Sequence, residues 1–131
     1  AGVDNVQRHV IEAGADKWLK RRKRSFDRVL VDAPCSGVGA WRRNPDAKWR
    51  FGSGDLSALV ETQAAILDRA AARVAPGGRL VYATCSLLEA ENRAQARDFA
   101  ARSPDFTLEG DMILTPLEGG DGFYAARFRR L

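Results

Sequence analysis

FDRVLVDAPCSGVG, residues Phe26–Gly39, holds a strand and a break in one stretch. Phe26–Val31 is a short apolar run rich in β-branched residues, the pattern of a buried parallel strand. Asp32-Ala33-Pro34-Cys35-Ser36-Gly37 ends it with an acid, a proline, a thiol and a glycine. In open α/β sheets the ligand sits beyond the carboxyl ends of the strands. A carboxylate and a thiol at that point are placed for chemistry. The grammar recurs downstream. Ala75-Pro76-Gly77-Gly78 reads as a turn, Arg79–Ala83 as a second buried strand, and Thr84-Cys85-Ser86 as its close. The chain's two cysteines, Cys35 and Cys85, thus each follow an expected parallel strand, and neighbouring strands would bring both sulfurs to one rim. A lone cysteine is more often a small buried hydrophobe; two in matching strand-end contexts favour a site.

The 131 residues suffice for one domain with one core. A hydrophobic content of 45% and a charged content of 29% fit a water-soluble globular protein. No apolar run is long enough for a bilayer, and the N-terminus lacks a signal-peptide pattern, so no membrane partner is expected. Two cysteines and one histidine, widely spaced, make neither a disulfide scaffold nor a metal motif. A reducing cytoplasm fits this usage. The net charge of +4 leans towards a polyanionic partner.

Asn5–Val10 alternates like a strand, and Ala13–Asp16 is a turn carrying an acid. His9 stands alone and reads as structural. Lys17–Arg24, KWLKRRKR, is a basic run that suits a solvated helix face or an RNA-facing patch. Ala40–Arg50, AWRRNPDAKWR, interleaves two tryptophans with Arg42, Arg43, Lys48 and Arg50 and is broken by Asn44-Pro45. Such mixing suits phosphate contacts with base stacking, and the loop leaves the same rim as Cys35. Apolar spacing predicts a helix over Leu56–Ala75, and a strand, helix and strand in succession imply a parallel crossover. Ser86 and Glu89 have capping-box spacing, predicting a helix from Leu87 to Arg102. Phe106–Glu109 reads as a short strand, 110–122 as loop and Phe123–Arg129 as the last strand.

VDAPCSGVG, RRNPDAKW, APGGRLVYATCS followed by Glu89 and Asn92, and GGDGFYAARFRR together resemble the Sun-type RNA cytosine-5 methyltransferases. The resemblance covers most of residues 26–131. It implies an α/β fold, a Rossmann-like methyltransferase sheet that is doubly wound and mostly parallel, with its last strand antiparallel and strand order 3-2-1-4-5-7-6. It further implies one domain over residues 1–131, the C-terminal portion of a catalytic domain. Residues 1–25 would be a third-strand remnant and basic segment, and 26–131 the second half of the sheet. The family's first two strands, with the glycine-rich turn that cradles the cofactor, would lie upstream of residue 1. The implied cofactor is S-adenosyl-L-methionine, and the implied partner is RNA of ribosomal type. Cys85 resembles the nucleophile, Cys35 the thiol that assists product release, Asp32 the acid where cofactor and target base meet, and Asp16 the acid at the cofactor's adenine end.

The chemistry accounts for these residue types. Carbon 5 of cytosine is a poor nucleophile, and thiolate addition at carbon 6 makes it enamine-like. A free cysteine has a pKa of about 8.5, and Cys85 would gain from the N-terminus of the following helix. The target base must leave its stack to reach the rim. Two features limit the expectation to a fragment. Cofactor binding would be incomplete, and the outer edge of Phe26–Val31 would be bare unless Val6–Val10 slides in beside it or two chains pair there as a homodimer. A non-catalytic RNA-binding fragment is the alternative. A thiol redox protein is a third reading, opposed by the lack of a Cys-x-x-Cys motif.

Overall fold

A computed structural model describes residues 2, 4–11 and 16–131. Among them, β1 (Phe26–Asp32), β2 (Val74–Thr84), β3 (Phe106–Leu114) and β4 (Phe123–Arg130) form one sheet in the order β1-β2-β4-β3. β1 and β2 are parallel, whereas β4 lies antiparallel to both β2 and β3. This order is that of strands four, five, seven and six in the implied sheet.

Helix α3 (Ser53–Ala71) connects β1 to β2, and α4 (Arg93–Arg102) connects β2 to β3. Alternation along the strands decides which face they cover. Leu80 and Tyr82 of β2, and Tyr124, Ala126 and Phe128 of β4, are buried together with Leu67 of α3 and Phe99 of α4. The Phe99 and Phe128 rings meet edge to face at 4.9 Å. On β1, Val29 and Val31 align with Leu80 and Tyr82 and join this core, while Leu30 stays 69% exposed. β1 is therefore an edge strand buried on one face, not the doubly buried strand its composition suggests.

Several boundaries differ from the sequence reading. Ala75–Gly78 does not separate helix from strand but bulges within β2, opposite Asp27 alone, as the register passes from Phe26–Val74 to Arg28–Arg79. Gly77 takes φ of +74°, and a Cβ on Gly78 would stand 2.8 Å from the Ala75 carbonyl oxygen. β3 runs on to Leu114 because β4 offers a partner over its whole length; an irregularity between Leu108 and Gly110 disguises the alternation. α4 starts at Arg93, not Leu87. The Ser86 hydroxyl, expected to cap Glu89, accepts instead from the Leu88 N–H at 3.0 Å, and residues 88–92 fold into turns.

Val6–Val10 is not a strand. Val6 and Val10 are exposed, and no strand lies beside β1 on its outer side among the described residues. An isolated extended segment has no ladder to join. The Ala13–Ala15 part of the expected turn falls outside the described residues. Lys17–Arg21 is a short helix, α1, capped by Asp16.

Candidate active site

Parallel register aligns Asp32 with Ala83, and the ladder continues through a 3.0 Å hydrogen bond from the Ala33 N–H to the Ala83 carbonyl. The segments after β1 and β2 leave the sheet side by side, each carrying a cysteine. The sulfurs of Cys35 and Cys85 come to 3.4 Å, with both thiols free. Cys85 is exposed and Cys35 half-buried. Burial, followed by the contact with Cys85, pushes the Cys35 thiol up to about 11, so it holds its proton at neutral pH.

Beneath the sulfurs lies a group that the sequence reading missed. The Glu91 side chain is fully buried. One carboxyl oxygen accepts from the Ser36 N–H at 2.8 Å and from the Gln63 amide at 3.0 Å. The other accepts from the Ser36 hydroxyl at 2.5 Å and from the Ser86 hydroxyl. Ser36 follows Cys35 and Ser86 follows Cys85, so one carboxyl group ties the two cysteine turns together. Gln63 of α3 also donates to the Pro34 carbonyl at 2.9 Å, and the Tyr82 hydroxyl holds the Glu91 carbonyl at 2.6 Å. Thr84 donates to the Asn92 side chain at 2.6 Å, and Asn92 donates to the Ser86 carbonyl at 2.9 Å. In sequence Glu91 was hidden behind Glu89, whose spacing from Ser86 matched a capping box; Glu89 instead pairs at the surface with Arg97.

Two glycines close the rim. The Gly39 N–H bonds the Cys85 carbonyl at 3.0 Å, and the Gly122 N–H bonds the Gly39 carbonyl at 2.8 Å. A Cβ on Gly39 would lie 2.4 Å from the Gly122 carbonyl oxygen, so only hydrogen fits. The neighbouring Asp121 holds Arg43 at 2.6 Å and Arg42 at 3.5 Å. The Arg43 hydrogen bond keeps the Asp121 carboxyl below its ordinary range. Arg42 and Arg43 thus sit beside the rim, while Lys48 and Arg50 belong to the exposed one-turn helix α2 (Ala47–Arg50). There Trp49 is 82% exposed, with the Lys48 ammonium 5.3 Å above its ring.

The two expected acids have different surroundings. Asp32 is exposed at the end of β1 and lines a cavity of about 480 Å³ with Ile11, Phe26, Val29, Leu30 and Ile66. Asp16 accepts from the Leu19 N–H at 3.0 Å and meets the His9 ring nitrogen at 2.9 Å. His9 in turn stacks on Trp18 at 4.7 Å, in keeping with a structural role. The N-terminus of α4 does not follow Cys85 directly, since the turns at residues 88–92 intervene. The dipole argument for activating Cys85 therefore loses its basis.

Sheet order and strand-end residues define the class: a partial Rossmann-like α/β fold of the methyltransferase type. The model of the 16S rRNA methyltransferase RsmB/F family matches residues 3–129, and the chain belongs to that family. It is 46% identical over 113 residues to ribosomal RNA small subunit methyltransferase B of Salmonella paratyphi B, covering 80% of this chain and 26% of that protein. The chain thus spans about a quarter of the length of the curated relatives it matches. Among solved structures, PH0851 superposes with a TM-score of 0.80 at 33% identity, over 82% of this chain and 27% of the other. NSun6 from Pyrococcus horikoshii, solved with SFG, superposes with a TM-score of 0.67 at 24% identity, over 77% of this chain and 29% of the other, a likeness of fold.

Proposed function

We propose that this chain is the nucleophile-bearing part of an RNA cytosine-5 methyltransferase acting on ribosomal RNA through a covalent cysteine adduct. The observation that carries the reading is the pair of sulfurs 3.4 Å apart at the carboxyl ends of two parallel strands. Cys85, the exposed thiol, adds as thiolate to carbon 6 of the target cytosine and raises electron density at carbon 5. Asp32 stands at the open end of β1 to hydrogen-bond the base. Cys35 retains its proton at neutral pH and is the thiol that assists product release: it gives that proton to the Cys85 sulfur as the bond to carbon 6 breaks, the carbon-5 proton passes to water, and Cys35 is reprotonated from solvent.

S-adenosyl-L-methionine, when bound, supplies a methyl group on a sulfonium. The described residues fit one side of such a ligand: Phe26, Val29 and Leu30 line the cavity with apolar surface and Asp32 adds a carboxyl, with Arg69 and Arg73 also on the lining. Asp16 is engaged with Leu19 and His9, so its adenine-end role requires exchange of those partners. By itself this chain is proposed to hold the cofactor poorly and to be inactive. The proposed RNA contacts are Arg42, Arg43, Lys48 and Arg50, with Trp49 exposed for base stacking.

The test uses an enzyme carrying this chain together with its cofactor-binding half. Cys85→Ala abolishes methylation, whereas Cys35→Ala leaves the enzyme covalently trapped on RNA. A gel-stable adduct formed by Cys85→Ala and none by Cys35→Ala reverses the roles. An RNA-binding role without catalysis is the second reading, favoured by the exposed Trp49–Lys48 pair. Neutralising the four cations lowers the salt dependence of RNA binding by a slope of roughly 0.7–0.9 per lost phosphate contact. An unchanged slope removes them from the interface.

A further inference from the structure

We propose that Cys35 and Cys85 form an oxidation site: a peroxide converts the pair to an intramolecular disulfide that reduction reverses. Three observations carry this. The sulfurs are already 3.4 Å apart, against about 2.05 Å in a disulfide. The turns that carry them are tied together by the buried Glu91 through Ser36 and Ser86, by the Gly39–Cys85 backbone bond and by the β1–β2 ladder. The pair is thus held in proximity by the fold, not by chance encounter. Access is unequal: Cys85 faces solvent, and Cys35 lies half-buried behind it. An oxidant meets Cys85 first, and the resolving thiol is waiting.

The electrons balance over two steps. The Cys85 thiolate attacks a peroxide oxygen, the O–O bond breaks, and sulfenic acid forms with release of hydroxide or an alkoxide. The Cys35 sulfur then attacks the sulfenic sulfur. The S–S bond forms, the S–O bond breaks, and the Cys35 proton leaves with the oxygen as water. Two thiols are oxidised by two electrons and one peroxide is reduced. Where Cys85 is the nucleophile, as in the function proposed above, the disulfide withholds it and stops it short of irreversible sulfinic acid. That consequence rests on the proposed function; the oxidation itself does not.

The experiment treats the 131-residue chain, reduced and then exposed to hydrogen peroxide, with intact-mass and peptide mapping and no RNA present. The expected product is a monomer lacking two hydrogens, with Cys35- and Cys85-containing peptides joined and released again by a reducing agent. In Cys35→Ser the same treatment leaves Cys85 sulfenic acid that dimedone traps. The native chain should form the bridge on the order of a hundredfold faster than the same chain in denaturant, since the fold supplies the encounter. This rate comparison needs no variant to fold. Equal rates in the two states, bridges only between chains, or Cys85 reaching sulfinic acid in the native chain overturns the proposal. Set beside the separate RNA-trapping test of the proposed function, an RNA adduct at Cys85 with no peroxide-formed bridge refutes the oxidation site alone; a bridge with no adduct refutes the covalent mechanism alone.

Discussion

The carboxyl end of β1 and its outer edge are built in opposite ways. At the carboxyl end, residues from the turns after β1 and β2 and from α3 converge on one buried carboxyl group of the segment before α4, with four hydrogen-bond donors. Along the outer edge, Leu30 is exposed, no strand lies alongside among the described residues, and Asp32 borders an apolar cavity. The thiol chemistry is therefore organised by residues this chain contains. The cavity beside Asp32, where the cofactor is proposed to bind, is lined on the β1 side by Phe26, Val29 and Leu30. The rim is held from several elements at once, whereas the outer edge is held from one side.

The comparison breaks most easily at Glu91. Glu91→Ala would remove the shared acceptor of the two serine hydroxyls, the Ser36 N–H and the Gln63 amide, leaving the serines only each other at 3.2 Å and Gln63 only the Pro34 carbonyl. An unpaired buried donor costs about 1–3 kcal/mol, and partial rearrangement brings the expected loss to about 3–5 kcal/mol. Chemical denaturation of the chain measures it. A loss under about 1 kcal/mol would mean that Glu91 does not join the turns. Gly39→Ala comes next. Its Cβ would meet backbone at Gly122, which cannot yield as a flexible side chain would. The expected cost is about 1–3 kcal/mol, with increased Cys85 alkylation as the Gly39–Cys85 bond loosens. A variant as stable as the native chain would show that the rim is open rather than closed.

Which parts were legible in sequence follows from range. Phe26–Val31 and Arg79–Ala83 announced themselves as short apolar runs bounded by turn residues, a signal that lies within the run itself. Their strand-end cysteines could be placed on one rim from connectivity alone, and the structure puts the sulfurs in contact. Glu91 was illegible because its partners Ser36 and Gln63 lie 55 and 28 residues away, and because Glu89 offered a local explanation for Ser86. Val6–Val10 alternated like a strand, but alternation cannot supply the partner that a strand requires. The continuation of β3 past Glu109 was hidden by an irregularity at Leu108–Gly110.

The outer edge offers a test of smaller thermodynamic effect. An uncovered β1 predicts self-association through strand pairing and weak cofactor binding. Sedimentation equilibrium of the native chain should show dimers at rising concentration, and Leu30→Lys should shift the chain to monomer while altering stability by no more than about 0.5 kcal/mol. Calorimetry with S-adenosyl-L-methionine should show no tight binding. A chain that stays monomeric and binds the cofactor with a sub-micromolar constant would make the edge as complete as the rim.

The smallest effect expected is at Asp16, which caps α1 beside the outer edge. The Leu19 N–H, and after it the His9 ring, lower the Asp16 carboxyl from 3.8 to about 2. A depressed folded-state value means that the cap's contribution is present above the unfolded value and disappears as pH falls through the folded one. α1 should therefore persist from neutral pH to below 4 and fray as pH approaches 2. The Leu19 amide resonance reports this directly, because that N–H donates to the titrating oxygen. Asp16→Asn keeps an acceptor at the cap and should remove the low-pH transition without removing α1. A Leu19 midpoint near 3.8 would mean that Asp16 is uncapped in solution. Asp16 would then be free for a ligand, and the contrast between the locked rim and the loosely held edge would extend to α1 itself.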